Sequence, residues 1–407
     1  MSEEVVIEAL GAQGDGTTGD GLFVPGVLPG ERVRVTRTGH RARVERLLAP
    51  SDDRVQAACP HVDACGGCSL QHASDSLVAR WKRDLVVRAL AARGIDDIEV
   101  RETVTSPPAS RRRVTFAGRR TKKGVLVGLH AEGSEEIVPI SGCIVARSEI
   151  VEAIPILERI VGAGASRKAA LRLLVTDSEA GLDVSVTGGK PVEGGLYGEL
   201  IAIAATSNLA RLAWEGETVV TRRAPAQPMG KAQVTPPPGG FLQATAEGEA
   251  ALIAAVREAL GTPRRVLDLF SGAGTFALPL AETSEVHAVE VDPDSLAALD
   301  AAWRHTPGLK RIGTEPRDLF RRPLLERELA GFDAVVFDPP RVGARAQTEE
   351  LASADVGRIS AVSCNPATFA RDARALVNGG YRLDWVLPID QFRWSPHVEL
   401  AAAFSRR

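Results

Sequence analysis

The hydrophobic pattern of the C-terminal part of the chain alternates between two periods. Short apolar runs, typical of buried strands, occupy residues 266–270, 286–291, 332–337, 359–363, 383–389 and 398–404. A helical repeat of apolar positions precedes the first run, at Leu252, Ile253, Val256 and Leu260. Repeated alternation of strands and helices predicts a parallel, doubly wound sheet of the Rossmann-like type.

The first 55 residues show a different pattern, in which glycines interrupt short apolar runs. Runs at 5–7, 22–26 and 31–35 predict the strands of a small β-barrel. Arg32 and Arg34 share one face of the last strand, because side chains alternate along a strand. Such a face either contacts RNA or is simply solvated, and the sequence leaves both interpretations open.

The middle of the chain predicts a second β-rich region. Strands are expected at 114–116, 125–130 and 136–140, and a hairpin is expected at 171–187. A stretch rich in proline and glycine, residues 224–240, separates this region from the alternating part. We therefore expect a multidomain α/β protein. Its three domains are a β-barrel at 1–55, a central β-rich domain at 56–235 and a C-terminal sheet domain at 236–407.

Composition and charge narrow the classes of function. The chain has 407 residues, 44% of them apolar, and a net charge of −3. No apolar run reaches membrane-spanning length and the N-terminus is acidic rather than signal-like, so we expect a cytoplasmic protein without membrane contact. The small net charge means that any RNA site must be a local basic patch. Residues 111–123 form such a patch, with seven cations, Phe116 and no acid.

Four of the five cysteines form a ligand-like set: Cys59, Cys65, Cys68 and the distant Cys143. In a reducing cytosol, clustered cysteines indicate metal binding or catalysis rather than disulfides. Four thiolates suit either tetrahedral zinc or an iron–sulfur cluster. Zinc sites usually pair two short-spaced couples, so three clustered cysteines with one distant partner favour a [4Fe–4S] cluster.

A glycine turn follows the first strand of the C-terminal part. Gly272-x-Gly274-x-x-Ala277 satisfies the loose dinucleotide fingerprint, and Glu290 ends the next strand, where a ribose-binding acid belongs. This pattern alone fits both NAD and S-adenosylmethionine. Asp268 before the turn suits a cationic or amino-bearing ligand, and a nicotinamide enzyme has no need of Asp338-Pro339-Pro340 at a later strand end. Both features favour S-adenosylmethionine.

The fifth cysteine, Cys364, stands alone directly after a predicted strand. A lone cysteine is commonly a core residue, but this one lies past the apolar run, at the strand edge that carries the glycine turn. A thiolate beside a methyl donor indicates covalent activation of a weakly nucleophilic carbon, such as C5 of uracil, by addition to C6. A base must then remove the C5 proton, and Glu399 and His397 are the candidates.

Taken together, these motifs resemble the S-adenosylmethionine-dependent RNA uracil-5-methyltransferases, in particular the branch with a TRAM domain and an iron–sulfur cluster. The resemblance extends over essentially the whole chain. It implies an OB-like TRAM module that binds RNA at 1–55 and a class I methyltransferase domain at the C-terminus. It also implies that the helix near 71–93 packs on that domain.

The resemblance implies roles for individual residues. Cys364 is the expected nucleophile and Glu399 the expected base. The expected [4Fe–4S] ligands are Cys59, Cys65, Cys68 and Cys143. The expected S-adenosylmethionine contacts are Gln243, Phe270, Gly272, Glu290, Asp338 and, on the adenine side, Asp318. Two departures stand out, because many relatives carry cysteine at the position of Ser271 and the region after Leu309 matches poorly. The implied partner is RNA, with 23S rRNA expected, and the implied state is a monomer.

Four alternatives are considered: a tRNA enzyme, an enzyme that methylates exocyclic amines, a cytosine-5 enzyme and a non-catalytic protein. The cytosine-5 enzymes share the thiolate chemistry but are usually marked by a different proline–cysteine motif. The substrate is tRNA if the chain is closer to the related tRNA enzymes, which share the arrangement. An enzyme that methylates exocyclic amines usually has an aromatic residue where Arg341 stands, which argues against that class. A non-catalytic iron–sulfur protein that binds RNA is disfavoured by the presence of both Cys364 and Glu399.

Overall fold

In the computed structural model, which describes residues 2–406, the N-terminal strands form a six-stranded sheet. The strands are β1 (Ser2–Val6), β2 (Ala9–Leu10), β3 (Gly16–Thr17), β4 (Phe23–Val24), β5 (Arg32–Thr38) and β6 (Arg41–Ala49), in the order β1-β5-β6-β4-β3-β2. Val33 and Val35 of β5 lie in a small apolar core, whereas Arg32 and Arg34 are exposed. The expected common face of the two arginines is thus confirmed.

Helix α1 (Asp75–Ala91) connects this sheet to the rest of the chain. The Ser74 side chain caps α1 by accepting the N–H of Leu77 at 3.1 Å. Two short strands follow, β7 (Glu99–Val100) and β8 (Val104–Thr105), and both pair with a strand of the C-terminal sheet. The segment that contains α1 is therefore built into the C-terminal part of the molecule.

A seven-stranded sheet forms the middle of the chain. Its elements are β9 (Arg113–Arg120), β10 (Val125–His130), β11 (Ile137–Pro139), α2 (Ser148–Glu152), α3 (Ile154–Gly164), β12 (Leu171–Thr176), β13 (Leu182–Thr187), α4 (Gly195–Ala205), β14 (Leu209–Trp214) and β15 (Glu217–Thr221). The strand order is β11-β10-β9-β12-β13-β14-β15, and only β13 and β14 are parallel. The three strands predicted at 114–116, 125–130 and 136–140 are confirmed as neighbours in this sheet, and so is the hairpin predicted at 171–187.

The C-terminal part is a large sheet flanked by helices. A short hairpin, β16 (Gln227–Met229) and β17 (Ala232–Val234), precedes it and packs on its core. The further elements are α5 (Ala246–Leu260), β18 (Arg265–Leu269), α6 (Ala277–Leu280), β19 (Glu285–Glu290), α7 (Pro293–Arg304), β20 (Ile312–Pro316), α8 (Glu326–Leu329), β21 (Ala334–Phe337), α9 (Arg345–Ser353), β22 (Arg358–Ser363), α10 (Pro366–Asn378), β23 (Arg382–Asp390) and β24 (Glu399–Ser405). The strand order is β20-β19-β18-β21-β22-β24-β23-β7.

Strands β18 to β22 are parallel, as predicted, but β24 lies antiparallel between β22 and β23. The prediction of an all-parallel sheet is therefore wrong for β24. Residues 391–398 are the only link between β23 and β24, and this link is too short for the crossover that parallel neighbours need. The antiparallel direction brings the start of β24 to the edge where β22 ends.

Within residues 2–406, none of the helices combines the length and the apolar character needed to span a membrane.

Candidate active site

The parallel strands bring most of the predicted site residues to one edge of the C-terminal sheet. Phe270 and Gly272 follow β18, Glu290 ends β19, Asp318 follows β20, Asp338 follows β21 and Cys364 follows β22. The carboxyl ends of parallel strands form the ligand crevice of open α/β sheets. The structure thus places the residues predicted to bind the cofactor beside the predicted nucleophile.

The glycine turn is fixed to the next strand through Glu290. Gly272 donates its N–H to Glu290 Oε2 at 3.0 Å, and Val291 and Asp292 donate to Oε1 at 2.7 and 3.0 Å. Phe270 has a φ of +62° and Gly272 a φ of +54°. A positive φ is unfavourable for a bulky residue such as phenylalanine, and strain of this kind concentrates at ligand sites.

Asp268, near this turn, has a buried carboxyl group whose oxygens lack hydrogen-bond partners within residues 2–406. It is fully buried, and neither carboxyl oxygen has a hydrogen-bond partner among the described residues. Burial, together with the charge of nearby Asp338, raises its pKa well above the usual value. A site of this kind disfavours a further anion and favours a cation.

Phe320, which sequence reasoning missed, closes the far side of the crevice. Its ring lies 5.5 Å from that of Phe270, and 48% of its surface is exposed. Asp318 accepts the N–H of Phe320 at 3.0 Å and so fixes the turn that carries the ring. Phe320 is identified as a candidate site residue because a large aromatic side chain is exposed beside the glycine turn. This exposure can be seen only in the three-dimensional structure.

Gln243 is part of a buried chain of amide groups that ends on Asp338. Gln391 donates to Gln243 Oε1 at 2.8 Å, and Gln243 Nε2 lies 3.4 Å from Asp338 Oδ2. Thr245 donates its N–H to Gln391 Oε1 at 3.3 Å. The chain of contacts fixes the orientation of both amides and points a donor at the Asp338 carboxyl.

Cys364 lies in the turn between β22 and α10. Asn365 caps α10 by accepting the N–H of Ala367 at 3.0 Å, and Pro366 occupies the first turn of the helix. The register that pairs Ser363 with Leu400 places Cys364 opposite Glu399. Directly opposed residues on antiparallel strands have Cβ atoms about 5 Å apart. The predicted nucleophile and the predicted base are therefore neighbours.

The surroundings of Cys364 and Glu399 disfavour a negative charge on either side chain. Burial, followed by the charges of Glu399 and Asp338, raises the pKa of the Cys364 thiol to about 11. Burial and the charge of Asp338 raise the pKa of Glu399 to about 8, and burial raises that of Asp338 to about 7. Each of the three groups is thus held closer to its protonated form than it would be in water.

His397, the second candidate base, is placed against an aromatic ring. Its imidazole meets the ring of Phe392 edge-on, with centroids 5.7 Å apart. Burial, then the charges of Arg341, Lys82 and Arg111, lowers the pKa of His397. The imidazole is therefore neutral at neutral pH, and Phe392 positions it.

A cavity of about 530 Å³ opens between the central sheet and this edge. Glu399, Gln243 and Phe392 line one wall. Arg111, Arg113 and Arg172 line the other, and none of these three has an acidic ion-pair partner within residues 2–406. Phe241, with 61% of its surface exposed, stands at the cavity. The chemistry of the lining suits an anionic, planar ligand.

The basic patch at 111–123 does not act as one surface. Arg112 is buried, pairs with Glu249 at 2.6 Å and donates to the Gln243 carbonyl at 3.1 Å. It therefore belongs to the framework that holds Gln243, whereas its neighbours Arg111 and Arg113 line the cavity. The expectation of a continuous cationic patch is wrong at Arg112, because alternate side chains at the start of β9 face opposite sides.

The four clustered cysteines lie half-buried near β10. Backbone amides donate to three of their sulfurs: His61 to Cys59 and Gly67 to Cys65, both at 3.4 Å, and Ala146 to Cys143 at 3.5 Å. Burial, and then the charges of Cys143, Cys65 and Cys59, raise the pKa of Cys68 to about 11. Even so, no three His, Cys, Asp or Glu side chains between residues 2 and 406 are close enough to form a metal site.

His61, which sequence reasoning also missed, joins the two parts of the cysteine set. Its Nε2 lies 3.1 Å from Ser141 Oγ and accepts the Ser141 N–H at 3.0 Å. The loop that carries Cys59, Cys65 and Cys68 is thereby attached to the segment that carries Cys143.

Comparison with known proteins identifies several relatives. The family model of the tRNA (uracil-5-)-methyltransferases matches residues 309–407. The chain is 47% identical to an uncharacterized RNA methyltransferase of Brucella suis, over 99% of this chain and 98% of that protein. It is 31% identical to the 23S rRNA (uracil(1939)-C(5))-methyltransferase RlmD of Shewanella woodyi, over 98% of this chain and 94% of that protein.

A solved structure also resembles this chain over nearly its full length. It is the Pyrococcus abyssi tRNA (uracil-54, C5)-methyltransferase in complex with S-adenosyl-L-homocysteine, with a TM-score of 0.77 and 25% sequence identity. The match covers 98% of this chain and 99% of that one.

Proposed function

The chain belongs to the family of S-adenosylmethionine-dependent RNA uracil-5-methyltransferases, and from that premise we propose that Cys364 and Glu399 carry out methylation of a uridine at C5. The observation that carries the assignment is the strand register, which places Cys364, the residue directly after β22, opposite Glu399, the first residue of β24. S-adenosylmethionine supplies the electrophilic methyl group.

The proposed reaction uses these two side chains in sequence. The Cys364 thiolate adds to C6 of uracil, and the C5=C6 electron pair moves to give an enolate. C5 then takes the methyl group, and the carbon–sulfur bond of the donor breaks. Glu399 next removes the C5 proton, the C5=C6 bond forms again and the thiolate leaves C6. This step releases the methylated uracil and regenerates the free thiolate.

The residues of the crevice fit a donor that carries a positive charge. Asp268 is fully buried and Asp338 is half-buried near it, and neither carboxyl group is in an ion pair within residues 2–406. Burying carboxyl groups without a cationic partner is costly. In our proposal Asp338 and Gln243 hold the charged end of S-adenosylmethionine, Glu290 and the Gly272 turn hold its ribose, and Phe270, Asp318 and Phe320 surround its adenine. A cation beside Asp338 would also lower the pKa of Cys364, by the same electrostatics that now raise it.

We also propose that Cys59, Cys65, Cys68 and Cys143 hold a [4Fe–4S] cluster. Support comes from the four half-buried thiols and from the amides that donate to three of the sulfurs, a recurring feature of sites that stabilise anionic sulfur. Bound there, the cluster would tie the loop at 59–68 to the segment at 141–143. Zinc is the alternative metal for four thiolates, and a zinc site would contain no inorganic sulfide.

For the RNA substrate we propose 23S rRNA, with the N-terminal sheet acting as a TRAM-like module that binds it. The 31% identity to RlmD extends through the N-terminal sheet, since it covers 98% of this chain. Exposed Arg32, Arg43 and Arg46 of that sheet have no acid partner within residues 2–406. Arg34 and Arg41, which are exposed, and Arg37, which is half-buried, are each paired with an acid, so they contribute less to an RNA contact.

Mapping 5-methyluridine in a strain that lacks this gene tests the proposal. We expect one position in 23S rRNA to lose its methyl group, and purified enzyme with S-adenosylmethionine to restore it on RNA from that strain. Loss of the modification from tRNA instead would identify a tRNA enzyme. Unchanged 5-methyluridine in both RNAs, with no activity of the purified enzyme on either, would contradict the proposed function.

A further inference from the structure

A fully buried ion pair joins α1 to the last residue of β23. Lys82 Nζ lies 2.6 Å from Asp390 Oδ1, and both side chains are 0% exposed. Lys82 also donates to the Phe392 carbonyl at 3.1 Å. The two partners are 308 residues apart in the sequence. The pair therefore connects the helix that follows the cysteine loop with the loop that leads to Glu399.

Stability alone does not explain this pair. Transferring two charges into a dry interior costs more than their attraction usually returns, and apolar residues of the same volume commonly do as well or better. Asp390 Oδ2, moreover, has no hydrogen-bond partner among residues 2–406, so part of the carboxylate is left without compensation. A buried pair of this kind is better explained by the geometry that it imposes.

The ion pair between Lys82 and Asp390 fixes the position of the Phe392 backbone. Asp390 Oδ1 accepts the Phe392 N–H at 2.9 Å, and Lys82 donates to the Phe392 carbonyl, so the pair holds both polar groups of that residue's backbone. The Phe392 ring lines the cavity and lies edge-on against His397. Its neighbour Gln391 donates to Gln243, which contacts Asp338. Holding Phe392 thus fixes the cavity wall that Phe392 forms together with Gln243 and Glu399.

The rest of this loop, residues 391–398, is held by the same N-terminal segment. Ser69 and Leu70 donate their N–H groups to the Trp394 carbonyl at 2.9 and 3.0 Å. Arg393 pairs with Asp75 and donates to the Ser106 carbonyl. Trp394 has a φ of +59°, which is unfavourable for a bulky residue and needs support from its surroundings. The loop is therefore ordered from outside the C-terminal sheet.

We propose that Lys82 is a positioning residue for uracil methylation: through Asp390 and the Phe392 backbone it holds loop 391–398 in the shape that presents uracil to Cys364 and Glu399. This inference rests on the proposed function. It also links α1 to the reaction, because Lys82 contacts neither substrate nor donor but sets the position of the loop residues that contact the substrate.

The test compares three variants of the full-length enzyme. Lys82→Met removes the charge but leaves Asp390 buried and unpaired, so it should lower both the melting temperature and kcat. Lys82→Met combined with Asp390→Asn removes both charges and keeps an acceptor for the Phe392 N–H, so it should recover much of the melting temperature. Arg83→Met is the matched control, because Arg83 lies on the same helix and donates at 2.8 Å to the Val100 carbonyl, away from the loop.

The proposal predicts that the double variant remains defective although it is stable. A displacement of about 1 Å at a reacting group can cost about 100-fold in rate, so we expect kcat to fall on that order while KM for S-adenosylmethionine changes little. Hydrogen exchange of loop 391–398 should rise in both Lys82 variants and not in Arg83→Met. A double variant with wild-type kcat and wild-type exchange would overturn the proposal. If the wild-type enzyme made no 5-methyluridine, the proposed function would fail instead.

Discussion

At the scale of single residues, three ionisable groups share one poorly solvated crevice. Cys364, Glu399 and Asp338 each have a raised pKa, principally because burial disfavours their charged forms. A nucleophile and a base must both lose protons to work, and these raised pKa values favour their protonated forms. Binding of a cation would favour the reactive forms.

The raised pKa of Glu399 has a consequence for stability. An unfolded glutamate titrates near 4.5, whereas the folded state holds the proton up to about pH 8. Between these values the folded state binds more protons than the unfolded state, so stability falls as pH rises through that window. Glu399→Gln cannot ionise and escapes this loss.

We therefore expect Glu399→Gln to be more stable than wild type at pH 9, by roughly 3–5 kcal/mol, and nearly equal to it at pH 4. Urea unfolding at the two pH values measures the difference. Glu158→Gln is a suitable control, because Glu158 is exposed on α3 and forms no ion pair within residues 2–406. A Glu399→Gln enzyme with no extra stability at pH 9 would show that the carboxyl group is not desolvated.

The arginines on and next to the central sheet divide into a structural group and a binding group. Arg112 is 2% exposed and paired with Glu249, whereas Arg113 and Arg172 line the cavity without acid partners within residues 2–406. Changing Arg111, Arg112 and Arg113 together would therefore mix a folding defect with a binding defect.

Separate variants should distinguish the two. Arg112→Met leaves Glu249 buried and unpaired, which should lower the free energy of unfolding by about 3–5 kcal/mol without changing the salt dependence of RNA binding. Arg113→Met with Arg172→Met should weaken RNA binding and reduce the slope of log K against log salt by about 0.7–0.9 for each phosphate that is no longer neutralised. An unchanged slope in the double variant would place the RNA contacts on another surface.

At the scale of secondary structure, apolar runs were a reliable guide where strands are buried. The strands at 266–270, 286–291 and 359–363 correspond to β18, β19 and β22 within a residue or so. β20 was missed because only Ile312 of its five residues is buried, as expected for the edge strand of the sheet. β7 and β8 have two residues each, too few for any period to be detected.

Site residues followed the same logic. Cys364 and Glu399 could be singled out as candidates because strand ends can be read from a sequence. Their proximity could not be predicted, because it depends on the antiparallel direction of β24. Lys82, His61 and Phe320 were not found, because each depends on a contact with a residue distant in sequence. No local pattern distinguishes a lysine of this kind from the arginines of α1.

The proposed cluster in the cysteine loop can be tested by measuring the iron and sulfide content of the protein. Protein purified without oxygen should contain about four iron and four sulfide per chain, as expected for a four-thiolate cubane. Cys143→Ser should lose both, because one ligand of the set is removed. Cys364→Ser is the matched control and should keep them, since Cys364 lies at the end of β22. Stoichiometric zinc without sulfide would contradict the cluster.

At the scale of the whole molecule, the site is assembled from parts that are far apart in the chain. The central sheet contributes the arginines of the cavity, the C-terminal sheet contributes Cys364 and Glu399, and α1 with β7 and β8 joins the N-terminal segment to that sheet. An RNA loop that enters the cavity would contact both sheets. The organisation explains how an almost neutral chain can bind RNA, because cations of the cavity wall converge at one place.

In the proposed mechanism Cys364 attacks C6 of uracil and Glu399 releases the product. Removing each group should therefore stop the reaction at a different stage. Cys364→Ala should bind S-adenosylmethionine but form neither product nor adduct, because the first bond never forms. Glu399→Gln should still add to C6 and transfer the methyl group.

The most direct measurement is a denaturing gel of enzyme incubated with RNA and S-adenosylmethionine labelled in the methyl group. Glu399→Gln should accumulate a labelled protein–RNA conjugate, because the C5 proton that blocks elimination is not removed, and His397→Gln should turn over without accumulating one. Cys364→Ala should give no conjugate. Normal turnover by Glu399→Gln, or a conjugate formed by Cys364→Ala, would contradict the account.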